Sequence, residues 1–194
     1  MLSVVIATHD SERALLPTLA ALVAGAAAGV VREVIIADGG SDDATAAIAD
    51  GAGCRLLSSA QTRGMRLKAG AVAARAPWLL FLAPGTVPDA TWIDETRRFI
   101  EQAELSGCAA THAAVFRPAS ARFRPALAEA LALLWTALGP RPDASRGLLI
   151  ARVLYDKLGG HGDVAEPERD LARRLGRRRI IPLRSEAVAA PSSC

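Results

Sequence analysis

The stretch that most constrains the fold is REVIIADGGSDDATAAIAD, residues 32–50. The β-branched run at 34–36, soon closed by Asp-Gly-Gly, is typical of a strand buried on both faces of a parallel sheet. Gly39 and Gly40 allow the backbone to turn where a Cβ would clash, and an Ala-rich helix follows. We therefore expect Asp38 at the carboxyl end of a buried strand, where open α/β sheets bind ligands.

Two roles are open to Asp38. Its carboxylate can accept hydrogen bonds from a bound base or ribose, or it can serve only to form the turn. Ser41, Asp42 and Asp43 offer oxygens that cap the following helix, which accounts for them without a ligand. We favour the ligand role for Asp38 and the capping role for Asp42 and Asp43.

Strands and helices alternate along the first hundred residues. We predict strands at 2–7, 33–37, 54–57 and 78–82, with helices at 13–28, 45–51, 64–76 and 88–103. This βαβαβαβ order predicts an α/β fold of three layers, with a mainly parallel sheet and helices on both faces. The later predictions are a turn at 83–86, strands at 107–116, 147–151 and 180–182, an irregular stretch at 118–126, and helices at 126–138, 152–158 and 168–178.

Composition excludes several classes of protein. The net charge of +3, without interleaved aromatic and basic residues, does not favour nucleic-acid binding. Cys54, Cys108 and Cys194 share no motif spacing, so we expect neither a zinc site nor a disulfide framework, and a reducing cytoplasm. The N-terminus carries no signal-like run, and no apolar run is long enough to span a bilayer. The first strand–helix turn, ATHDSE, lacks the glycines of a dinucleotide-binding turn.

Six segments, in order, resemble landmarks of family 2 glycosyltransferases with the nucleotide-diphosphosugar transferase (GT-A) fold. They are VVIATHDSE, EVIIADGGSDDAT, TRGMRLKAGAVAA, WLLFLAPGT, LGGHGD and ERDLARRLGRR. Within the family, the sequence is most similar to small bacterial members without membrane segments. The resemblance implies one domain over 1–194, with a nucleotide-binding half at 1–105 and an acceptor half at 106–194. It also implies inverting transfer of a sugar from a nucleotide-diphosphosugar, usually a UDP-sugar, to a hydroxyl of a saccharide or lipid-linked acceptor.

The resemblance further implies which residues hold the nucleotide. By position they are Ala7, Thr8, His9, Asp10, Asp38, Arg63 and Lys68. His9 would stack on the base where the family often has an aromatic residue, and Asp38 matches the carboxylate that recognises uracil or its ribose. Arg63 matches a basic residue near the base and phosphates, and Lys68 replaces a family asparagine. From the residues alone, Arg63 and Lys68 also fit an exposed helix face.

The chain departs from the family after the fourth strand. There the family carries Asp-x-Asp, which holds a Mg²⁺ or Mn²⁺ ion that neutralises the diphosphate. This chain has Ala83-Pro84-Gly85, and none of these side chains can bind a hard cation. We expect no metal site, and no replacement from Asp89 on the next helix. The departure favours an alternative in which a degenerate relative binds a nucleotide or another protein without catalysis.

The second departure concerns the catalytic base. Pro167 and Glu168 stand where the family has a Glu-Asp pair, so Glu168 is the predicted base for the acceptor hydroxyl. Glu166 and Asp163 are open alternatives, and a glutamate at a helix start is equally accounted for by the helix dipole. Arg146, in a Ser-Arg-Gly run where the family has Asp-Gln-Gly, is a candidate to supply phosphate charge in place of metal.

The basic segment near the C-terminus offers a further contact. Arg173, Arg174 and residues 177–179 are candidates for contact with an anionic membrane or a lipid-phosphate acceptor at the inner face of the membrane. A solvated helix face explains the same charges and is the better interpretation.

Overall fold

The computed structural model describes residues 1–119 and 147–189. The predicted helix at 126–138, almost all of the irregular stretch at 118–126, Arg146 and Cys194 lie outside these ranges. Within them, no helix has both the length and the apolar character that a membrane crossing requires.

The described residues form eight strands, six α-helices and two short 3₁₀ helices. The strands are β1 (Leu2–Thr8), β2 (Val31–Asp38), β3 (Arg55–Ser58), β4 (Trp78–Leu82), β5 (Thr86–Pro88), β6 (Ala113–Pro118), β7 (Leu148–Ala151) and β8 (Ile180–Ala189). The α-helices are α1 (Glu12–Ala27), α2 (Thr45–Gly51), α3 (Arg63–Ala73), α4 (Trp92–Leu105), α5 (Arg152–Lys157) and α6 (Pro167–Leu175). The 3₁₀ helices are Cys108–Ala110 and Arg177–Arg179.

All eight strands join one sheet in the order β3-β2-β1-β4-β7-β6-β8-β5. Four neighbouring pairs are parallel: β3 with β2, β2 with β1, β1 with β4, and β6 with β8. β7 runs antiparallel to both β4 and β6, and β5 runs antiparallel to β8. The sheet is thus mixed but mostly parallel.

Helices cover both faces of the sheet. Apolar side chains of α1, α2 and α4 pack in one buried cluster, and those of α3, α5 and α6 pack in a second cluster. The β-branched runs of β1 and β2 face both clusters, which is why they carry apolar residues at successive positions. The predicted three-layer α/β fold is confirmed.

The order of the strands reverses at β1. After β1 the chain forms β2 and β3 on one side, and then crosses to place β4 on the other side. The loops that leave the carboxyl ends of β1 and β4 therefore diverge, and open α/β sheets bind ligands in the crevice at such a point.

Two predicted boundaries fail because strands pair over long distances. β8 runs from Ile180 to Ala189, beyond the predicted 180–182, because it lies between β6 and β5. Residues 86–88 pair with 187–189 as β5, so the turn at 83–86 is shorter than predicted and α4 begins only at Trp92.

Two other boundaries fail for local reasons. The strand predicted at 107–116 begins only at Ala113, because Gly107 takes a left-handed conformation (φ 69°) and residues 108–110 form a 3₁₀ turn. The helix predicted at 168–178 ends at Leu175, because Gly176 has φ 84° and ψ 142°, which is not helical.

We predict that Gly70 is required for the close approach of α3 to β1. A Cβ at position 70 would lie 2.5 Å from Val5 Cγ1, whereas a Cβ at Gly51 would meet nothing within 4 Å. Gly70→Ala should lower the free energy of unfolding in urea by about 1–3 kcal/mol, because it overpacks the core. Gly51→Ala, the matched control, should leave that free energy unchanged or raise it by up to about 1 kcal/mol. Equal stability of the two variants would contradict this packing.

Candidate functional site

A cleft of about 550 Å³ opens at the carboxyl ends of β1 and β4, where the strand order reverses. Its lining comes from the segment that leaves β1, from the first turns of α3 and from the turn after β4. The lining residues are 7–14, Asp43, Arg63, Arg66, Ala83 and Pro84.

Asp38 lies buried at the end of β2 and is not among the lining residues. Its Oδ1 accepts hydrogen bonds from Thr8 Oγ1 (2.8 Å) and Ser41 Oγ (2.5 Å). Its Oδ2 accepts from the backbone N–H groups of Gly40 (2.9 Å) and Ser41 (2.8 Å). Burial alone would raise the pKa of Asp38, but these hydrogen bonds outweigh it and hold the pKa below the ordinary value.

Hydrogen bonds interlock the loop after β1 with the loop after β2. Backbone N–H groups of the first loop donate to side chains of the second: Asp10 to Ser41 Oγ (2.9 Å), Ser11 to Thr45 Oγ1 (3.0 Å) and Glu12 to Asp43 Oδ2 (2.9 Å). In return, Asp42 N–H donates to Asp10 Oδ1 (2.9 Å) and Ala44 N–H to Glu12 Oε2 (3.1 Å). We call these five bonds the loop interlock.

The loop interlock uses its carboxylates as acceptors for backbone donors. Within the loop interlock Asp10 takes a left-handed conformation (φ 45°), which is uncommon for residues other than glycine. Three acidic residues line the cleft: Asp10, Glu12 and Asp43. Their carboxylates therefore serve to hold the two loops that form its wall.

The first turn of α3 is tied to the first turn of α6 and to the loop that precedes it. Arg63 donates through Nε (2.8 Å) and Nη2 (2.7 Å) to Oε1 of Glu168, whose side chain is only 13% exposed. Thr62 Oγ1 donates to Asp163 Oδ1 (2.7 Å). A Cβ at Gly64 would lie 2.0 Å from the carbonyl oxygen of Gly162, so only glycine fits. Through Arg63, these contacts bring the predicted base to the edge of the cleft.

The two alternative bases have other partners. Glu166 is mostly exposed and forms an ion pair with Arg169 on the surface of α6. Asp163 accepts the hydrogen bond from Thr62 and is also exposed. The position beside a cleft-lining arginine distinguishes Glu168 from both, and its catalytic role stays a prediction.

His161 anchors the loop that carries Asp163 and Glu166 and leads into α6. Its ring is 1% exposed and lies edge-on to Phe81 of β4 (centroids 4.6 Å apart), with Nδ1 3.0 Å from Tyr155 Oη. Burial first, and then the charges of Arg174 and Arg63, lower the pKa of His161 to about 3. The imidazole is therefore neutral at physiological pH.

Arg66 is a cleft residue that the sequence interpretation missed. Its Nη1 donates to the carbonyl oxygen of Thr8, and its guanidinium lies over Gly39, where a Cβ would come within 2.3 Å of Nη1. Nε is buried and has no hydrogen-bond partner among the described residues. Burial lowers the pKa of Arg66, the Asp38 charge raises it and the Arg63 charge lowers it further. The available signal was the spacing from Arg63, since residues three apart share a helix face.

The other predicted nucleotide-binding residues divide into two groups. Ala7, Thr8, His9, Asp10 and Arg63 all line the cleft. Lys68 lies exposed further along α3 and is not a lining residue, and Asp38 lies beneath the lining. The structure brings the first group together; the roles of both groups stay predictions.

The residues after β4 do not fit the divalent cation that the resemblance implies. Ala83 and Pro84 present apolar surface to the cleft, and the N–H of Gly85 donates to the Ala14 carbonyl (2.8 Å) and to Thr18 Oγ1 (2.9 Å). Asp89 accepts hydrogen bonds from Thr91 and from the backbone of Glu186 beside the β5–β8 pair. In 1–119 and 147–189 no group of three or more His, Cys, Asp or Glu is placed to hold a metal ion.

Comparisons with known proteins identify the family and the fold of the chain. The family model described as Glycosyl transferase family 2 matches residues 3–146, and no curated protein matches the chain. Glucosyl-3-phosphoglycerate synthase from Mycobacterium tuberculosis, solved with Mn²⁺ and UDP-glucose, is similar with a TM-score of 0.65 at 19% identity, over 94% of this chain and 68% of that one. S. aureus TarS 1-349, solved with UDP-GlcNAc, has a TM-score of 0.68 at 15% identity, over 99% of this chain and 59% of that one. At such identities the two structures show a shared fold.

We predict that His161 makes stability depend on pH between 7 and 5. The unfolded chain takes up a proton near pH 6.5 and the folded chain does not, so stability falls as pH falls. From pH 7 to pH 5 the wild type should lose about 2 kcal/mol more unfolding free energy than His161→Phe. Gly51→Ala, which removes no titratable group, should keep the wild-type pH dependence. Parallel pH profiles for wild type and His161→Phe in urea unfolding would contradict the prediction.

Proposed function

This chain belongs to glycosyl transferase family 2, and from that premise we propose that it transfers a sugar from a nucleotide-diphosphosugar to a hydroxyl acceptor. The observation that carries the proposal is the cleft at the carboxyl ends of β1 and β4. It lies at the strand reversal, inside the part of the chain that the family matches, and is large enough for a small ligand.

We propose a UDP-sugar as the donor, bound by the first half of the chain, residues 1–105. Similar folds have been solved with UDP-glucose and with UDP-GlcNAc, which supports a uridine nucleotide. The base would lie against Ala7, Thr8 and the exposed ring of His9. Asp38 would act from below, because it fixes Thr8 and the turn at Gly40 through its hydrogen bonds.

The acceptor half would supply the base, Glu168. Both hydrogen bonds from Arg63 converge on Oε1, and no described residue donates to Oε2. Oε2 can therefore accept the proton of the acceptor hydroxyl as its oxygen attacks the anomeric carbon. The bond to the nucleoside diphosphate breaks on the opposite face, so the configuration at that carbon inverts. The family match ends before Glu168, so the geometry beside Arg63 carries this assignment.

We place the protein in the cytoplasm, which free thiols at Cys54 and Cys108 support. A lipid-linked acceptor would bring it to the inner face of the membrane. The basic helix gives this little support, because Arg173 and Arg174 of α6 both form ion pairs with Asp170. A soluble saccharide acceptor is equally compatible with the cleft.

One observation favours a second candidate function. Ala83 and Pro84 line the cleft where the resemblance places the metal-binding carboxylates, and a divalent ion normally stabilises the leaving diphosphate by several kcal/mol. A protein that binds the nucleotide without transferring the sugar would need the cleft but not the metal. Nucleotide binding is common to both candidates, and turnover separates them.

We predict that UDP and UDP-sugars raise the melting temperature. At a ligand concentration 100 times the dissociation constant, binding adds about 2.7 kcal/mol of stability, or about 5–10 °C for a chain of this size. Uridine alone should give a smaller shift, and ADP at the same concentration serves as the control for base recognition. No shift with any uridine diphosphate ligand would exclude both candidate functions.

We predict that Glu168→Gln lowers UDP-sugar turnover about 100-fold or more, because the amide cannot accept the proton. UDP affinity, measured in parallel, reports any disturbance of Arg63. Glu101→Gln, an exposed change on α4, should keep the wild-type rate. If Glu166→Gln or Asp163→Asn loses turnover instead, that residue is the catalytic base and Glu168 is not. Equal rates for Glu168→Gln and wild type would remove the assignment, and no turnover in wild type would favour the binding protein.

A further inference from the structure

A diphosphate in this cleft needs a positive partner other than the turn after β4. The wall formed by Ala83 and Pro84 is apolar, and the N–H of Gly85 is already bonded to Ala14 and Thr18. A phosphate that binds against such a wall loses hydrating water. This desolvation costs free energy unless a charged donor replaces the water. The positive charge must come from another side of the cleft.

Arg66 is placed to supply it. The bond from Nη1 to the Thr8 carbonyl holds the guanidinium at the end of β1, and the missing side chain at Gly39 makes room for it. Among the described residues no carboxylate lies within ion-pair distance of Arg66, and its Nη2, which unlike Nε is not buried, has no hydrogen-bond partner. Arg66 therefore has both an unused hydrogen-bond donor and a positive charge that no ion pair within the described ranges balances at this side of the cleft.

Among the described residues the nearby carboxylates offset part of the Arg66 charge but occupy none of its hydrogen-bond donors. Asp38 is near, but its two oxygens already accept four hydrogen bonds from Thr8, Gly40 and Ser41. The acidic residues of the cleft wall hold backbone N–H groups in the loop interlock. Arg63 adds a second positive charge nearby, partly balanced by Glu168. Two guanidinium groups on one wall favour the binding of an anion.

We propose that Arg66, assisted by Arg63, binds the diphosphate of the donor without a divalent metal ion. A planar guanidinium matches the oxygens of a phosphate through paired N–H donors. This inference rests on the proposed function, because the nucleoside diphosphate is taken from it. It goes further in assigning a residue to the counter-charge and in predicting that binding does not need metal.

Isothermal titration of the full chain with UDP and with inorganic pyrophosphate, in EDTA and in Mn²⁺, tests the proposal. Wild type should bind both ligands in EDTA, with affinities that Mn²⁺ changes by less than about three-fold. Arg66→Gln should weaken both by about ten-fold or more, since hydrogen bonds to charged groups are lost. Arg66→Lys keeps the positive charge but loses the paired N–H donors, so its affinities should lie between those of wild type and Arg66→Gln. Uridine, which has no phosphate, should bind wild type and Arg66→Gln equally.

Arg55→Gln is the matched control. Arg55 also donates Nη1 to a backbone carbonyl, that of Ala73 (2.9 Å), but at the far end of α3 from the cleft. The Arg55→Gln variant should bind UDP and pyrophosphate with wild-type affinity. If Arg66→Gln does not fold, as judged by circular dichroism, Arg66→Lys and the comparison of EDTA with Mn²⁺ in wild type still decide the outcome.

The results separate this inference from the proposed function. UDP binding only with Mn²⁺, undiminished binding by Arg66→Gln, or a loss confined to Lys68→Gln would overturn the Arg66 site and leave the sugar donor standing. Pyrophosphate binding in EDTA that depends on Arg66, with UDP no tighter than pyrophosphate, would keep the anion site and remove the uridine donor. Failure of both ligands to bind in EDTA would overturn the inference outright.

Discussion

Five hydrogen bonds between the loops after β1 and β2 hold the cleft in shape, and the rest of the site depends on them. Below them, buried Asp38 ties the end of β1 to the turn after β2 through Thr8 and Gly40. These bonds occupy oxygens of the local carboxylates, whereas Arg66 keeps donors that have no partner among the described residues.

Much of the fold was predictable because its signals are local. The β-branched run of β2, the glycines after it and the alternation with Ala-rich helices specify a parallel α/β sheet from neighbouring residues alone. β5 and most of β8 were missed because each is a strand only through its partner, about a hundred residues away in the sequence. A short polar run such as Arg184–Glu186 has no apolar pattern that marks it as a strand.

The cleft residues that could be predicted are those whose place follows from their position at the end of a strand. Ala7 and Thr8 end a buried strand, and His9 and Asp10 follow it, so the rule that ligands bind at carboxyl ends places all four in the cleft. Arg66 was missed because a lone basic residue on a helix usually faces solvent. Its burial depends on the absence of a side chain at Gly39, on another loop, which no helical pattern reveals. Lys68, which was predicted, is exposed and is not among the residues that line the cleft.

We infer that an arginine takes the place of a divalent ion in this glycosyltransferase cleft. The most direct test is a crystal structure of the protein with UDP bound in the presence of EDTA. We predict clear density for UDP at the carboxyl ends of β1 and β4, with a phosphate oxygen in hydrogen-bond contact with the guanidinium of Arg66. A diphosphate that binds away from Arg66, or density for UDP only when Mn²⁺ is added, would contradict the account.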